Sequence, residues 1–352
     1  MSRQPVPSPM GPPHAAATAE DPRSRLARRR SGSDQRRRRL LTIAVAIIAV
    51  VAIAVGIVVY DETSQPGGPL PVHLPPAAGS YLGVYAKGLP ASYAPVSAFA
   101  DTTGAKPDVV MYYSGWYVPF PTSFATTVAK NGAAPLVQIN PEQGSKGISL
   151  AAIAAGRYDG YLSAYAEAVR TYGHPVILSF GHEMNGNWEP WGYQHATPAS
   201  FVAAWRHLVN VFRALGVQNV TWLWTVNIVN NTQTGTIPDP APWWPGSSYV
   251  DWVGIDGYYL KPSWEFAPLF GPTIRAVRAI TSAPILIAET GAVPAADQPA
   301  KIADLFAGIH SYGLLGFVYF NNTNSQGTSF GLTSPTAIAA FRKGAGQYHR
   351  PG

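Results

Sequence analysis

Eight short runs rich in β-branched and aromatic residues recur through residues 79–352, and stretches of helical periodicity separate several of them. The runs are YLGVYA (81–86), DVVMYY (108–113), APLVQIN (134–140), PVILSFGHE (175–183), VTWLWTVN (220–227), DWVGIDGYY (251–259), APILIAET (283–290) and GFVYFNN (316–322). Clear helical patterns lie at 158–173, 200–216 and 299–313, and the first two end in glycine, as a helix C-cap does. Strands that alternate with helices, and read as continuous apolar runs, are buried on both faces in a parallel sheet. Eight such units over this length match a (β/α)8 barrel. An open doubly wound sheet competes, but it usually begins with a glycine-rich phosphate loop, and the first strand here is followed by none.

The N-terminal part is different. Residues 1–39 are rich in Pro, Ala, Ser and Arg with little apolar periodicity, which predicts a disordered tail. Ten of the chain's 25 basic residues and three of its 19 acidic ones fall in residues 1–40, so the remainder is close to neutral. A nucleic-acid-binding domain would carry its own basic face, so no nucleic-acid partner is expected. Residues 40–60, LLTIAVAIIAVVAIAVGIVVY, contain no charge and are long enough to cross a bilayer core. The four arginines just before them predict a single-pass signal anchor, with the tail cytoplasmic and residue 61 onward outside the cell membrane. A cleaved signal peptide is the alternative, but no A-x-A-like site follows. Residues 61–78 form a Pro-rich linker, and 79–352 the folded domain. The chain has no cysteine, which excludes disulfides, thiolate nucleophiles and zinc–thiolate sites.

In a barrel of this kind, reactive groups sit at the C-terminal ends of the strands. The fourth run ends in Gly181-His182-Glu183-Met184-Asn185 and the seventh in Ala288-Glu289-Thr290. A glutamate closing an apolar strand is costly unless it sits at the barrel mouth with partners. Two on nearly opposite strands give the carboxylate pair that glycosidic cleavage requires, one as proton donor and one as nucleophile or base. That chemistry needs no cofactor or metal. An HExxH zinc site is excluded, because Gly186 stands where the second histidine would be. Trp188 and Trp191 are candidate sugar platforms, with Tyr113 and Trp116 behind them, and each could equally fill core. Trp243 and Trp244 could line a distal subsite or fold their Pro-rich loop. Asn185 and Asn227 could bind sugar hydroxyls or tie loop backbone.

The segment PVILSFGHEMNGNWEPWG (175–192) resembles the acid/base region of glycoside hydrolase family 26, which contains β-mannanases. PILIAETG (284–291) is similar to that family's nucleophile strand, and DWVGIDGYY (251–259) to its sixth strand. The resemblance implies retaining chemistry, with Glu183 as general acid/base and Glu289 as nucleophile. It implies that His182 faces the sugar or a carboxylate. It also implies that Tyr259 hydrogen-bonds the nucleophile, with Tyr258 the rival, since strand alternation turns only one of them inward. Gln138 and Asn140 on the third strand, and Tyr319 and Phe320 on the eighth, stand where mannanases of the family tend to have His and Trp. This leaves mixed-linkage β-glucan and β-1,3-xylan open beside β-1,4-mannan. The expected function is a membrane-anchored endo-β-glycanase acting on a β-linked polysaccharide without an obligate protein partner. A non-catalytic polysaccharide-binding or scaffolding protein on the same barrel is the competing expectation.

Overall fold

The computed structural model describes residues 74–75, 78–79, 81–229 and 237–347, all within one compact unit, Leu70–Gly352. The predicted basic tail and membrane anchor, and the linker apart from Leu74, Pro75 and Ala78, lie outside the described residues. Among the described residues, no helix is long and apolar enough to cross a membrane.

Eight parallel strands close into a barrel. In chain order they are β1 (Tyr81–Ala86), β2 (Val109–Ser114), β3 (Ala134–Ile139), β6 (Val176–Phe180), β7 (Val220–Asn227), β8 (Trp252–Asp256), β9 (Ile285–Thr290) and β10 (Gly316–Asn321). A two-residue hairpin, β4 (Glu142–Gln143) with β5 (Lys146–Gly147), rises from the loop after β3. Each barrel strand pairs with its sequence neighbour in the barrel, and β1 pairs with both β2 and β10. Among the described residues, eight α-helices run between and after the strands: α1 (Ala94–Thr103), α2 (Thr122–Lys130), α3 (Leu150–Ala154), α4 (Asp159–Tyr172), α5 (Pro198–Ala214), α6 (Phe266–Ile280), α7 (Gln298–Ser311) and α8 (Pro335–Ala345).

The amino-acid pattern explains the helix ends. Ser149, Thr197 and Ser334 each accept a hydrogen bond from a first-turn amide of α3, α5 and α8, a cap worth about 1 kcal/mol. Proline fills an early position in α5 and α8, where no backbone donor is missed. Gly173 closes α4 in the left-handed region at φ 71°.

Two apolar cores follow from strand alternation. Val110, Val137, Leu178, Val253 and Ile287 point outward under the helices. Met111, Leu136, Ile177, Leu223, Trp252 and Leu286 fill the barrel interior. Gly254 keeps that interior from overfilling: a Cβ there would lie 2.5 Å from Thr225 Oγ1. Above this apolar plug the inward residues turn polar, and the site begins.

Candidate active site

Glu183 does not end a strand, as the sequence suggested. β6 stops at Phe180, because Gly181 takes φ 56° and Glu183 itself takes φ 55°. Left-handed backbone at a glutamate is uncommon and strained, and a strained residue that persists is held by its surroundings. Here the Glu183 amide donates to Thr225 O at 3.0 Å, and both side-chain oxygens are bound. Asn227 Nδ2 donates to Oε1 at 2.6 Å and Trp188 Nε1 donates to Oε2 at 2.7 Å.

Glu289 reaches the site through a bulge. Ile255 pairs with Ile287, but the next residue, Asp256, pairs with Glu289, and on the other side β10 likewise skips one position. The extra residue in β9 leaves Ala288 in the inner core and also turns Glu289 to the barrel mouth. Two phenols hold it: Tyr113 Oη donates to Oε1 and Tyr258 Oη donates to Oε2, the latter at 2.5 Å.

Both carboxyls are nearly enclosed, with Glu183 at 9% and Glu289 at 5% exposure. Burial is the leading cause that pushes Glu183 upward, against the Asn227 and Trp188 donors, which favour its ion. Burial also leads for Glu289, the Glu183 charge adds to it, and the two phenols oppose. Two buried carboxyls that repel each other hold a proton more tightly than either would alone, which favours a state with one proton shared by the pair. His182 is pushed down to about 4 by burial and is neutral imidazole at neutral pH. Its Nδ1 lies 3.1 Å from Asn140 Oδ1, which places the proton on Nδ1 and leaves Nε2 as an acceptor.

The groups converge on a cleft of about 390 Å³, whose lining includes Glu183, Glu289, His182, Trp188, Asn227 and Tyr258. Four expected contact residues lie elsewhere. Tyr259 is not the partner of the nucleophile: its hydroxyl donates to Asp304 on α7 at 3.3 Å, and its ring packs on Phe270. Alternation from Trp252 through Asp256 sends Tyr258 inward and Tyr259 outward. Trp191 is 1% exposed and donates to His182 O at 2.8 Å, so it buttresses the loop instead of offering a ring to a sugar. Asn185 ties backbone, donating to Asn227 O and accepting from Asn227 N. Tyr319 points outward, packs on Phe341 and donates to Phe330 O, while its neighbour Phe320 lines the cleft. Trp116 and Trp243 are each 2% exposed and belong to the outer core.

Sequence reasoning missed three contributors. Tyr85, at the end of β1, stacks on Phe320 with centroids 4.7 Å apart. Glu189, next to Trp188, lines the cleft, and burial with the charges of Glu183 and Glu142 pushes it up to about 7. The loop after β10 contributes Asn322, Asn324, Gln326 and Thr328. Polar residues clustered after a strand end were the available signal for this loop.

The family model for glycosyl hydrolase family 26 matches residues 100–305. The chain belongs to this family. Endoglucanase H of Acetivibrio thermocellus is 30% identical over 267 residues, covering 71% of this chain and 29% of that protein. The β-1,3-xylanase TXYA of a Vibrio species is 29% identical over 111 residues, covering 31% of this chain and 22% of its own. The chain therefore spans less than a third of the length of either relative. A family 26 β-mannanase structure from Bacteroides ovatus superposes with a TM-score of 0.55 at 18% identity, covering 76% of this chain and 86% of the other, which shows a shared fold.

Proposed function

We propose that this family 26 chain is an endo-acting β-glycanase that works by double displacement, with Glu289 as nucleophile and Glu183 as acid/base. The observation that carries this is the pair of buried glutamates at the barrel mouth, each held at both oxygens by neutral donors. Glu183 protonates the departing glycosidic oxygen while a Glu289 oxygen attacks the anomeric carbon. Glu183 leaves that step ionised, and because the ester has removed the Glu289 charge it stays ionised. It then takes a proton from the incoming water, whose oxygen displaces Glu289 from the anomeric carbon. A protein that only bound glycan would have no use for two carboxyls whose burial is costly.

The cleft favours an uncharged polymer. Glu183, Glu189 and Glu289 line it and, among the described residues, no Lys or Arg does, so a polyuronate would meet like charge there. Hydroxyl and amide groups of the loop after β10 suit sugar hydroxyls. β-Glucan is the first choice, supported by the name of the Acetivibrio relative, whose match covers 71% of this chain. Release of reducing ends from β-glucan, β-1,4-mannan and β-1,3-xylan tests this. Activity is expected on β-glucan, with a loss of at least about 1,000-fold in Glu289→Ala; equal activity in that variant would refute the assignment. The same proposal places the domain outside the cell on the 40–60 anchor.

A further inference from the structure

Asp256 ends β8 with no exposed surface, and the proposed reaction does not use it. Its register neighbours are Asn227 on β7 and Glu289 on β9, and alternation turns it to the barrel interior beside both. No side chain donates to either carboxyl oxygen, which only the Glu289 main chain approaches, and the Oδ1 of Asn227 has no hydrogen-bond partner. In the amide orientation of the structure Asn227 Nδ2 donates to Glu183 Oε1, so it is not available to Asp256. Three buried acceptors thus lie on adjacent strands without a side-chain donor, an arrangement folded proteins rarely tolerate. The titratable groups that bear on Asp256 are Glu289 on β9, Glu183 on the loop after β6, Tyr113 on β2 and Tyr258 beyond its own strand; none is a cation. A single proton on Asp256 supplies the donor and removes a second negative charge from beside Glu289.

We propose that Asp256 is a positioning residue that works as the neutral carboxylic acid: its O–H donates to Asn227 Oδ1 and so aims Asn227 Nδ2 at Glu183. The neutral form fits the direction in which burial and the two glutamates push this carboxyl, well above its ordinary range, with only the Glu289 main chain opposing. The chain of contacts runs Asp256, Asn227, Glu183. It fixes the acid/base from below, while Trp188 fixes it from the loop. The inference deepens the proposed reaction and rests on it for its kinetic consequences, but the protonation state can be read without substrate.

The test compares the full chain with Asp256→Asn and Asp256→Val. In infrared difference spectra at neutral pH, the wild-type protein is expected to show a protonated-carboxyl C=O band that both variants lack. Absence of that difference overturns the proposal whether or not the chain hydrolyses any glycan. If the chain is active, Asp256→Val is expected to lose about 100-fold in kcat at little-changed KM. Asp256→Asn, whose amide can still donate to Asn227 Oδ1, is expected to recover most of that loss with its pH–rate profile in place. An ionised Asp256 would behave otherwise: replacing it with Asn would remove a negative charge and move both limbs to lower pH, which overturns the proposal. So would an Asp256→Asn variant that folds yet is as slow as Asp256→Val. Should Asp256→Val not fold, the Asn variant alone decides, through its band and its profile.

Discussion

At the scale of single residues, the site is defined by which donors meet which carboxylate. Tyr113 and Tyr258 favour the ionised form of Glu289, so losing one raises the Glu289 pKa. The acid limb of kcat/KM, which reports ionisation of the nucleophile, should then move to higher pH in Tyr113→Phe. Tyr259→Phe should leave that limb where it is, because its hydroxyl faces Asp304. A pH–rate series on the two variants checks this. The two glutamates were legible in the sequence because an acid that closes an apolar run is too costly to bury anywhere but at a partnered barrel mouth. The choice between Tyr258 and Tyr259 was not, because β8 is buried on both faces: Val253 and Ile255 are as apolar as Trp252, and the apolar residues do not mark the inward parity. Trp188 and Trp191 share one loop, and only its turn decides that the first reaches Glu183 and the second the core.

At the scale of elements, two local departures from regular strands aim the catalytic pair. One is the β9 bulge at Ala288 and Glu289; the other is the left-handed turn at Gly181 and Glu183. A Cβ on Gly181 would lie 3.0 Å from the Phe201 ring and 3.1 Å from Trp191, on backbone that L-residues disfavour. Gly181→Ala should therefore cost about 1–2 kcal/mol in backbone strain. Displacing Glu183 by even part of an ångström should lower kcat by up to about 100-fold. Thermal unfolding and kcat measured together check this; an unchanged kcat with lowered stability would remove the turn from the account. All eight barrel strands were visible as apolar runs, but the ends were not, since Glu183 and Tyr259 extend the sequence pattern past the last ladder residue. The β4–β5 hairpin is too short to leave a period, and Pro272 inside α6 interrupts the helical pattern there.

At the scale of the whole molecule, the barrel supplies a rigid frame, and the chemistry comes from inward side chains above an apolar plug. The fold was legible from alternation and length, because parallel strands must be separated by crossovers of this size. The proposed membrane anchor belongs to this scale too. If residues 40–60 hold the domain at the membrane, the full chain should sediment with membranes and leave them only with detergent. Recovery only in the culture medium would contradict it.

The central claim is that Glu289 becomes covalently attached to the sugar and Glu183 releases it. Glu183→Ala, given the activated aryl β-glycoside of the sugar that the polymer assay identifies, does not need its acid to expel the leaving group, but it lacks the base for the second step. The intact mass should rise by one glycosyl unit, and peptide fragmentation should place the addition on Glu289. An adduct on another residue, or turnover with no adduct and inverted product, would contradict the account.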